Sequence, residues 1–261
     1  MIIPAFNEER SVAQVIRRVL REPSVQQVVV VDDCSTDGTL VAARRSTSDP
    51  RVSVKHHETN LGKGAAIRTG LESITAPLVL IQDADMEYDP ADYEKLISPI
   101  LRGRADVVYG IRGFAGQSAY SYWFVVGNRL VTTATNILFN CYIQDMETGF
   151  KVMRTSLMRR LGLRGNRFDV EPEITGRILR LGYRIYEIPI EYAARTRAQG
   201  KKLTWRDGVK AIFVLLRIRL TTAQELFGTR DPYHDQRLTE LSVNPGLRAD
   251  GVEESRETLQ S

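Results

Sequence analysis

The sequence predicts an α/β protein built on a doubly wound, mostly parallel sheet, and three observations carry that prediction. Strand-like and helix-like segments alternate through the first 110 residues. The unbroken run Val28-Val29-Val30-Val31 reads as a strand buried on both faces, as parallel strands are. Acidic residues follow directly on two such runs, at Asp32-Asp33 and at Asp83-Ala84-Asp85, and the carboxyl ends of parallel strands are where open α/β sheets bind ligands.

Taken in order, Ile2-Ile3-Pro4 is strand-like, and so abrupt a start suggests that the first strand begins upstream of Met1. Val12, Val15, Ile16, Val19 and Leu20 then recur at helical spacing, with Arg17, Arg18 and Arg21 on the opposite face. After the strand at 25–31 come a short helix over about 38–46, a strand over 51–56 and a helix over about 62–74. A strand at 77–82 ends in Asp83. A helix over about 91–101 and a strand over 106–110 complete a sheet of roughly five strands.

The second half predicts a long helix over about 121–139, a loop carrying Asp145 and Glu147, a strand near 150–153, a helix over about 172–181 and a strand over 183–192. With no internal repeat and no low-complexity linker, residues 1–204 are expected to form one domain. Residues 205–227 are expected to form an amphipathic helix. Within Trp205 to Leu220, Val209, Ile212, Phe213, Leu215, Leu216 and Ile218 alternate with Arg206, Lys210, Arg217 and Arg219, a pattern that suits either an anionic membrane surface or packing on the domain. Residues 228–261 are polar, with Pro232, Pro245, Gly246 and Gly251, and read as a disordered tail.

Composition narrows the function. In a chain of 261 residues, 43% hydrophobic and 26% charged residues are ordinary for a globular protein. The formal charge of +4 suits nucleic acid, an anionic membrane or phosphorylated substrates, but the positive residues are dispersed and no nucleic-acid recognition motif is present. Cys34 and Cys141 lack metal-ligand spacing, so neither a disulfide framework nor a zinc site is expected, and the cytoplasm is the expected compartment. His56 and His57 read as solvated surface residues. No secretory leader opens the sequence, which argues against export.

Four segments converge on the predicted carboxyl edge: Pro4-Ala5-Phe6-Asn7-Glu8, Asp32-Asp33, Asn60-Leu61-Gly62-Lys63-Gly64 and Asp83-Ala84-Asp85-Met86-Glu87. Carboxylates gathered in one crevice repel each other and lose hydration, so a cation is expected to offset them. A hard divalent ion that also bridges phosphates fits, because Mg²⁺ takes one or two carboxylates plus phosphate oxygens. Two aspartates one residue apart are by themselves a weak pattern. Glu87 and Lys63 strengthen it, Lys63 as a group that could meet a phosphate. A tight turn opening a helix accounts for Gly62-Lys63-Gly64 in either case.

Together with Val31-Asp32-Asp33-Cys34-Ser35-Thr36-Asp37-Gly38-Thr39, these segments resemble family 2 glycosyltransferases of GT-A fold, in particular the dolichol-phosphate mannosyltransferase-like, polyprenyl-phosphate hexosyltransferase branch. The resemblance extends to about residue 220 through Glu147-Thr148-Gly149-Phe150-Lys151 and Phe168-Asp169-Val170-Glu171-Pro172-Glu173. It implies that Pro4, Ala5, Phe6 and Glu8 line the base and ribose pocket and that Asp33 binds the base or ribose. It also implies that Asp83 and Ala84 approach the ribose or sugar, and that Asp85 and Glu87, with Asp83 beside them, hold Mg²⁺ or Mn²⁺ on the diphosphate.

For the acceptor, the resemblance implies a polyprenyl phosphate met by Arg112 and Arg129, with Arg197, Lys201 and Lys202 where the branch has a basic segment. In this chain Arg195 to Leu203 departs from the branch's pattern, and a solvated basic loop is the plain alternative. A hydroxyl acceptor would instead need a carboxylate base, for which Asp145 or Glu147 is placed. The sequence thus points to an inverting hexosyltransferase using UDP-glucose or GDP-mannose, peripheral at the inner face of a membrane. Its rivals are transfer to a hydroxyl of a glycan and a non-catalytic nucleotide-sugar-binding protein.

Overall fold

The computed structural model describes residues 1–113, 122–167, 169–193 and 205–228. Strands β1 (Ile2–Ala5), β2 (Val28–Asp32) and β3 (Val52–His56) lie parallel, with Ile2 opposite Val29 and Val29 opposite Ser53. Helices α1 (Val12–Val19), α2 (Thr39–Arg45) and α3 (Lys63–Ser73) make the crossovers. The four valines of β2 are wholly buried, as the run predicted, and burying each contributes about 1.5–3 kcal/mol relative to exposure. Helix α1 turns Val12, Val15, Ile16 and Val19 into the same core.

The remaining strands are β4 (Leu78–Leu80), β5 (Val107–Arg112), β6 (Lys151–Arg154) and β7 (Ile185–Ile190), in the order β4-β6-β5-β7. A parallel bridge from Ile2 to Ile81 and a 3.0 Å bond from the Gln82 N–H to the Ile2 carbonyl join this group to β1. Helix α4 (Tyr93–Leu101) packs on β5 through Tyr93, Leu96 and Ile100.

The sheet is larger than the expected five strands, and β4 and β5 are not neighbours. Strand β6 runs antiparallel between them, with Met153 opposite both Val79 and Val107. This reversal positions the site: because β6 runs backwards, the loop entering it, which carries Asp145 and Glu147, arrives at the carboxyl edge of β4 and β5.

Helix α5 (Tyr122–Phe139) and helix α8 (Trp205–Leu220) pack side by side and against α7 (Val170–Arg180), while α6 (Thr155–Arg160) follows β6. Val131, Ala211 and Leu215 are buried in this layer. Its outer side exposes Trp123, Leu130 and Ile137 from α5 and Val209, Phe213 and Leu220 from α8. Among the described residues no helix is long and apolar enough to cross a membrane.

Met1–Thr221 form one compact unit. The described part of the second unit is the short helix α9 (Ala223–Phe227), opened by a capping box between Thr222 and Glu225. The expected disordered tail lies outside the described residues from 229 onward.

Candidate active site

The first two loops of the carboxyl edge brace each other. Asn7, in the left-handed region at φ 54°, receives the Thr36 N–H at 2.9 Å, and the Glu8 N–H donates to Thr39 Oγ1 at 2.8 Å. Pro4 and Ala5 are buried at the end of β1, Phe6 is half-buried, and the Glu8 carboxylate accepts from Ser11 Oγ at 2.9 Å. Asp33, 3% exposed, accepts the Leu61 N–H at 2.9 Å, the Gly62 N–H at 2.7 Å and His57 Nδ1 at 2.8 Å. A carboxylate has about four acceptor positions, so Oδ2 retains one. His57 is therefore not a solvated surface residue: it is buried between Asp33 and Thr69, because β2 and β3 are adjacent. His56 is exposed, as expected, although Asp32 holds its Nδ1 at 2.8 Å.

Lys63 opens α3 and reaches Asp83 Oδ1 at 2.7 Å and Glu171 Oε1 at 2.6 Å. The group expected at a phosphate thus neutralises two carboxylates, the second of them from the first turn of α7. Gly62, at φ +95°, adopts a backbone conformation that a side chain resists, and the chain at Asn166 closes on it. Glu173, two residues after Glu171, holds that neighbouring stretch by accepting the Arg164 and Gly165 N–H groups at 3.0 and 2.6 Å. Asp83 also lies against Gly149, where an added Cβ would stand 2.5 Å from Oδ2. The Gly149 N–H donates to the Tyr88 hydroxyl at 2.7 Å.

Ala84 is buried, while Asp85 and Glu87 are half-buried on the turn after β4, where Met86 takes φ 65°. Asp85 Oδ1 accepts the Glu87 N–H at 3.2 Å, so the two acids share one turn, and Glu87 Oε2 accepts the Tyr192 hydroxyl. Among the described residues no three His, Cys, Asp or Glu side chains form a complete metal set. One or two carboxylates completed by phosphate oxygens are what Mg²⁺ or Mn²⁺ needs at such a turn, and Asp85 with Glu87 fits. Asp83 does not fit as a third ligand, because the Lys63 ammonium already sits on its oxygen.

Arg112 ends β5 and Asp145 precedes β6, and the two form a buried pair, 6% and 1% exposed. Arg112 Nε and a terminal nitrogen each donate at 2.7 Å, the Arg112 N–H adds a bond at 3.2 Å, and Asn128 Nδ2 donates to Oδ1 at 3.1 Å. Every acceptor position of Asp145 is taken, so it faces no substrate hydroxyl in this arrangement. The Arg112 guanidinium lies 5.3 Å from the centre of the Tyr192 ring.

Glu147 sits two residues on, and burial and the nearby Glu171 push its carboxyl up to about 7. Burial lowers Lys151 to about 8. That ammonium donates to the Met146 carbonyl at 3.1 Å and to the Thr148 carbonyl, clasping the chain on both sides of Glu147.

The structure therefore gathers Lys63, Asp83, Asp85, Glu87, Arg112, Asp145 and Glu147 along one edge. Arg129 does not join them: it is exposed on α5, one residue after Asn128. Arg197, Lys201 and Lys202 lie outside the described residues. Sequence reasoning assigned no role to Glu171, Lys151, Asn128 or Tyr192; the first two sit in segments already singled out, whereas Asn128 and Tyr192 carry no local signal.

Comparison with known proteins agrees with this picture. Residues 1–162 match the description Glycosyl transferase family 2. The chain is 31% identical over 214 residues to the undecaprenyl-phosphate mannosyltransferase of Micrococcus luteus, covering 77% of this chain and 85% of that protein. It is 28% identical over 207 residues to the polyprenol monophosphomannose synthase of Mycolicibacterium smegmatis, covering 75% and 77%. Among solved structures, mannosyl-3-phosphoglycerate synthase from Rubrobacter xylanophilus superposes with a TM-score of 0.65 at 20% identity, over 97% of this chain and 78% of that one. Glucosyl-3-phosphoglycerate synthase from Mycobacterium tuberculosis, in complex with Mn²⁺, UDP and phosphoglyceric acid, gives 0.63 at 21%, over 85% and 78%. These likenesses show the expected GT-A fold.

Proposed function

This chain belongs to glycosyl transferase family 2, and from that premise we propose that it moves a hexose from UDP-glucose or GDP-mannose to a polyprenyl phosphate. The observation that carries the acceptor reading is the saturated Arg112–Asp145 pair. A hydroxyl nucleophile needs a base, and Asp145 has no acceptor position to offer one; a phosphate oxygen is already ionised near neutral pH and needs positioning instead. The mannosyltransferase relative from M. luteus supports the same acceptor class.

In this reading an acceptor phosphate oxygen attacks the anomeric carbon while the nucleoside diphosphate leaves from the opposite face, inverting the centre. Pro4, Ala5, Phe6, Glu8 and Asp33 hold the nucleoside, Asp33 through its remaining acceptor position. Asp83, fixed by Lys63, faces the ribose or sugar. Asp85 and Glu87 would hold Mg²⁺ or Mn²⁺, which supplies Lewis-acid stabilisation of the departing diphosphate. Arg112 supplies a fixed positive charge toward the acceptor phosphate, with Arg197, Lys201 and Lys202 proposed to extend it.

A membrane-bound acceptor also accounts for the outer side of α5 and α8. Among the described side chains of these two helices, exposed Trp123, Phe213 and Leu220 stand with the exposed charges of Arg129, Lys210, Arg217 and Arg219. Apolar groups among cations suit an anionic bilayer, so we place the enzyme peripherally at the inner face of the membrane.

A second reading has one observation in its favour. Glu147, held near 7, titrates where a base for a hydroxyl acceptor should. The purified protein should glycosylate a short-chain polyprenyl phosphate with either donor in the presence of Mn²⁺, and Arg112→Ala should lose transfer while retaining donor hydrolysis. Turnover with sugar acceptors alone, abolished by Glu147→Gln, would replace the lipid reading with the hydroxyl one. No metal-dependent donor hydrolysis at all would leave a nucleotide-sugar-binding protein.

A further inference from the structure

We infer that Tyr192 is a positioning residue that couples the donor's metal turn to the acceptor's arginine, through its hydroxyl on Glu87 and its ring beside Arg112. This rests on the roles just proposed for Glu87 and Arg112.

The chain leaving β7 is strapped along the segment that follows Asp85. The Glu191 N–H donates to Asp92 Oδ2 at 2.8 Å, Tyr192 pairs with Tyr88 in an isolated antiparallel bridge, and the Ala193 N–H donates to the Glu87 carbonyl at 2.8 Å. These links fix the backbone on both sides of Tyr192, so its side chain has little freedom to move away. Its ring is then held 5.0 Å from the Tyr88 ring and 5.3 Å from the Arg112 guanidinium.

The two ends of the side chain do different work. The hydroxyl donates to Glu87 Oε2 and so helps to orient that carboxylate on the turn it shares with Asp85. A partner that orients a ligating carboxylate tunes the metal without touching it, and loss of such a partner typically weakens metal binding about 10–100-fold. The ring face attracts the guanidinium electrostatically and, with Asp145 bound to its Nε and a terminal nitrogen, fixes where the positive charge sits. A phenylalanine at this position would keep the second role and lose the first; a leucine would lose both.

That separation gives the test. Mn²⁺ binding is measured by electron paramagnetic resonance in the presence of UDP or GDP, acceptor KM is measured with a short-chain polyprenyl phosphate, and melting temperature is measured without metal. Tyr192→Phe is expected to weaken Mn²⁺ binding about 10–100-fold with acceptor KM and melting temperature near wild type. Tyr192→Leu is expected to raise acceptor KM as well. Tyr192→Phe binding Mn²⁺ as the wild type does, or both variants shifting metal affinity and acceptor KM in parallel, would overturn the coupling role. If the wild-type protein binds no Mn²⁺ with either nucleotide, the metal assignment to Asp85 and Glu87 falls first and takes this inference with it. That result is distinguishable because it appears before any substitution is made.

Discussion

Replacing Asp145 with asparagine separates a structural acid from a catalytic one. The side chain keeps its shape but loses its charge, and one of its two oxygens becomes an NH₂ that faces the donors of Arg112. Both partners are nearly inaccessible, at 1% and 6% exposure, so water cannot replace the lost charge. Removing one member of a buried ion pair costs about 3–5 kcal/mol, a large share of a total stability of about 5–15 kcal/mol. At about 2–4 °C per kcal/mol for a domain of this size, the melting temperature should fall by about 6–20 °C. The assay is thermal unfolding followed by circular dichroism, with the paired change Arg112→Met and Asp145→Leu alongside. Replacing both charges with apolar groups is often near neutral, so the pair should regain most of the lost stability. If Asp145→Asn melts within about 2 °C of the wild type and yet abolishes transfer, Asp145 is a base and the pair is not what holds it.

Other consequences can be measured on the same protein. Glu147 is held near 7, above the ordinary 4.5, so the folded state binds its proton more tightly and its contribution to stability is lost as pH rises through that window. Relative to the wild type, Glu147→Gln should therefore be more stable at pH 8 than at pH 5 in urea titrations; the reverse order would show that the carboxyl is not buried as described. Gly149→Ala places a methyl 2.5 Å from Asp83 Oδ2 and 3.1 Å from the Tyr88 ring. It should weaken stabilisation by UDP or GDP with Mn²⁺ in a thermal shift assay, and an unchanged shift would mean that Asp83 has no part in donor binding. Trp123→Ser with Phe213→Ser should reduce sedimentation with anionic vesicles and leave turnover of a detergent-dispersed acceptor intact; equal binding to vesicles would remove α5 and α8 from the membrane.

Legibility in the sequence followed the range of the interactions. The valines of β2 and the acids after β4 declared themselves because an unbroken apolar run and the residue after it are local features. Strand β6 was seen as a strand but not as an antiparallel insertion, since four residues, the first three of them buried, carry no direction. His57 was misread for a related reason: nothing beside it in the chain predicts Asp33 and Thr69, which reach it only when β2, β3 and α3 assemble. Lys63 was recognised as a crevice cation, but its partner Glu171 comes from α7, far along the chain. Tyr192 had no local pattern at all, because its contacts with Glu87 and Arg112 exist only once β7 lies beside β5 and its following residues meet the turn after β4.

The edge carboxylates do not all wait for one cation. Read from sequence, all the edge carboxylates shared one need for a cation. In the folded chain Lys63 compensates Asp83 and Glu171, and Arg112 compensates Asp145, before any ligand arrives. Such pre-paired charges cannot reorganise cheaply, which makes them suited to fixing geometry rather than to exchanging partners during a reaction. Asp85 and Glu87 share one turn, where Asp85 accepts the Glu87 N–H and Glu87 accepts the Tyr192 hydroxyl. Tyr192 touches that turn through its hydroxyl and Arg112 through its ring, so the proposed donor and acceptor ends of the edge meet at a single side chain.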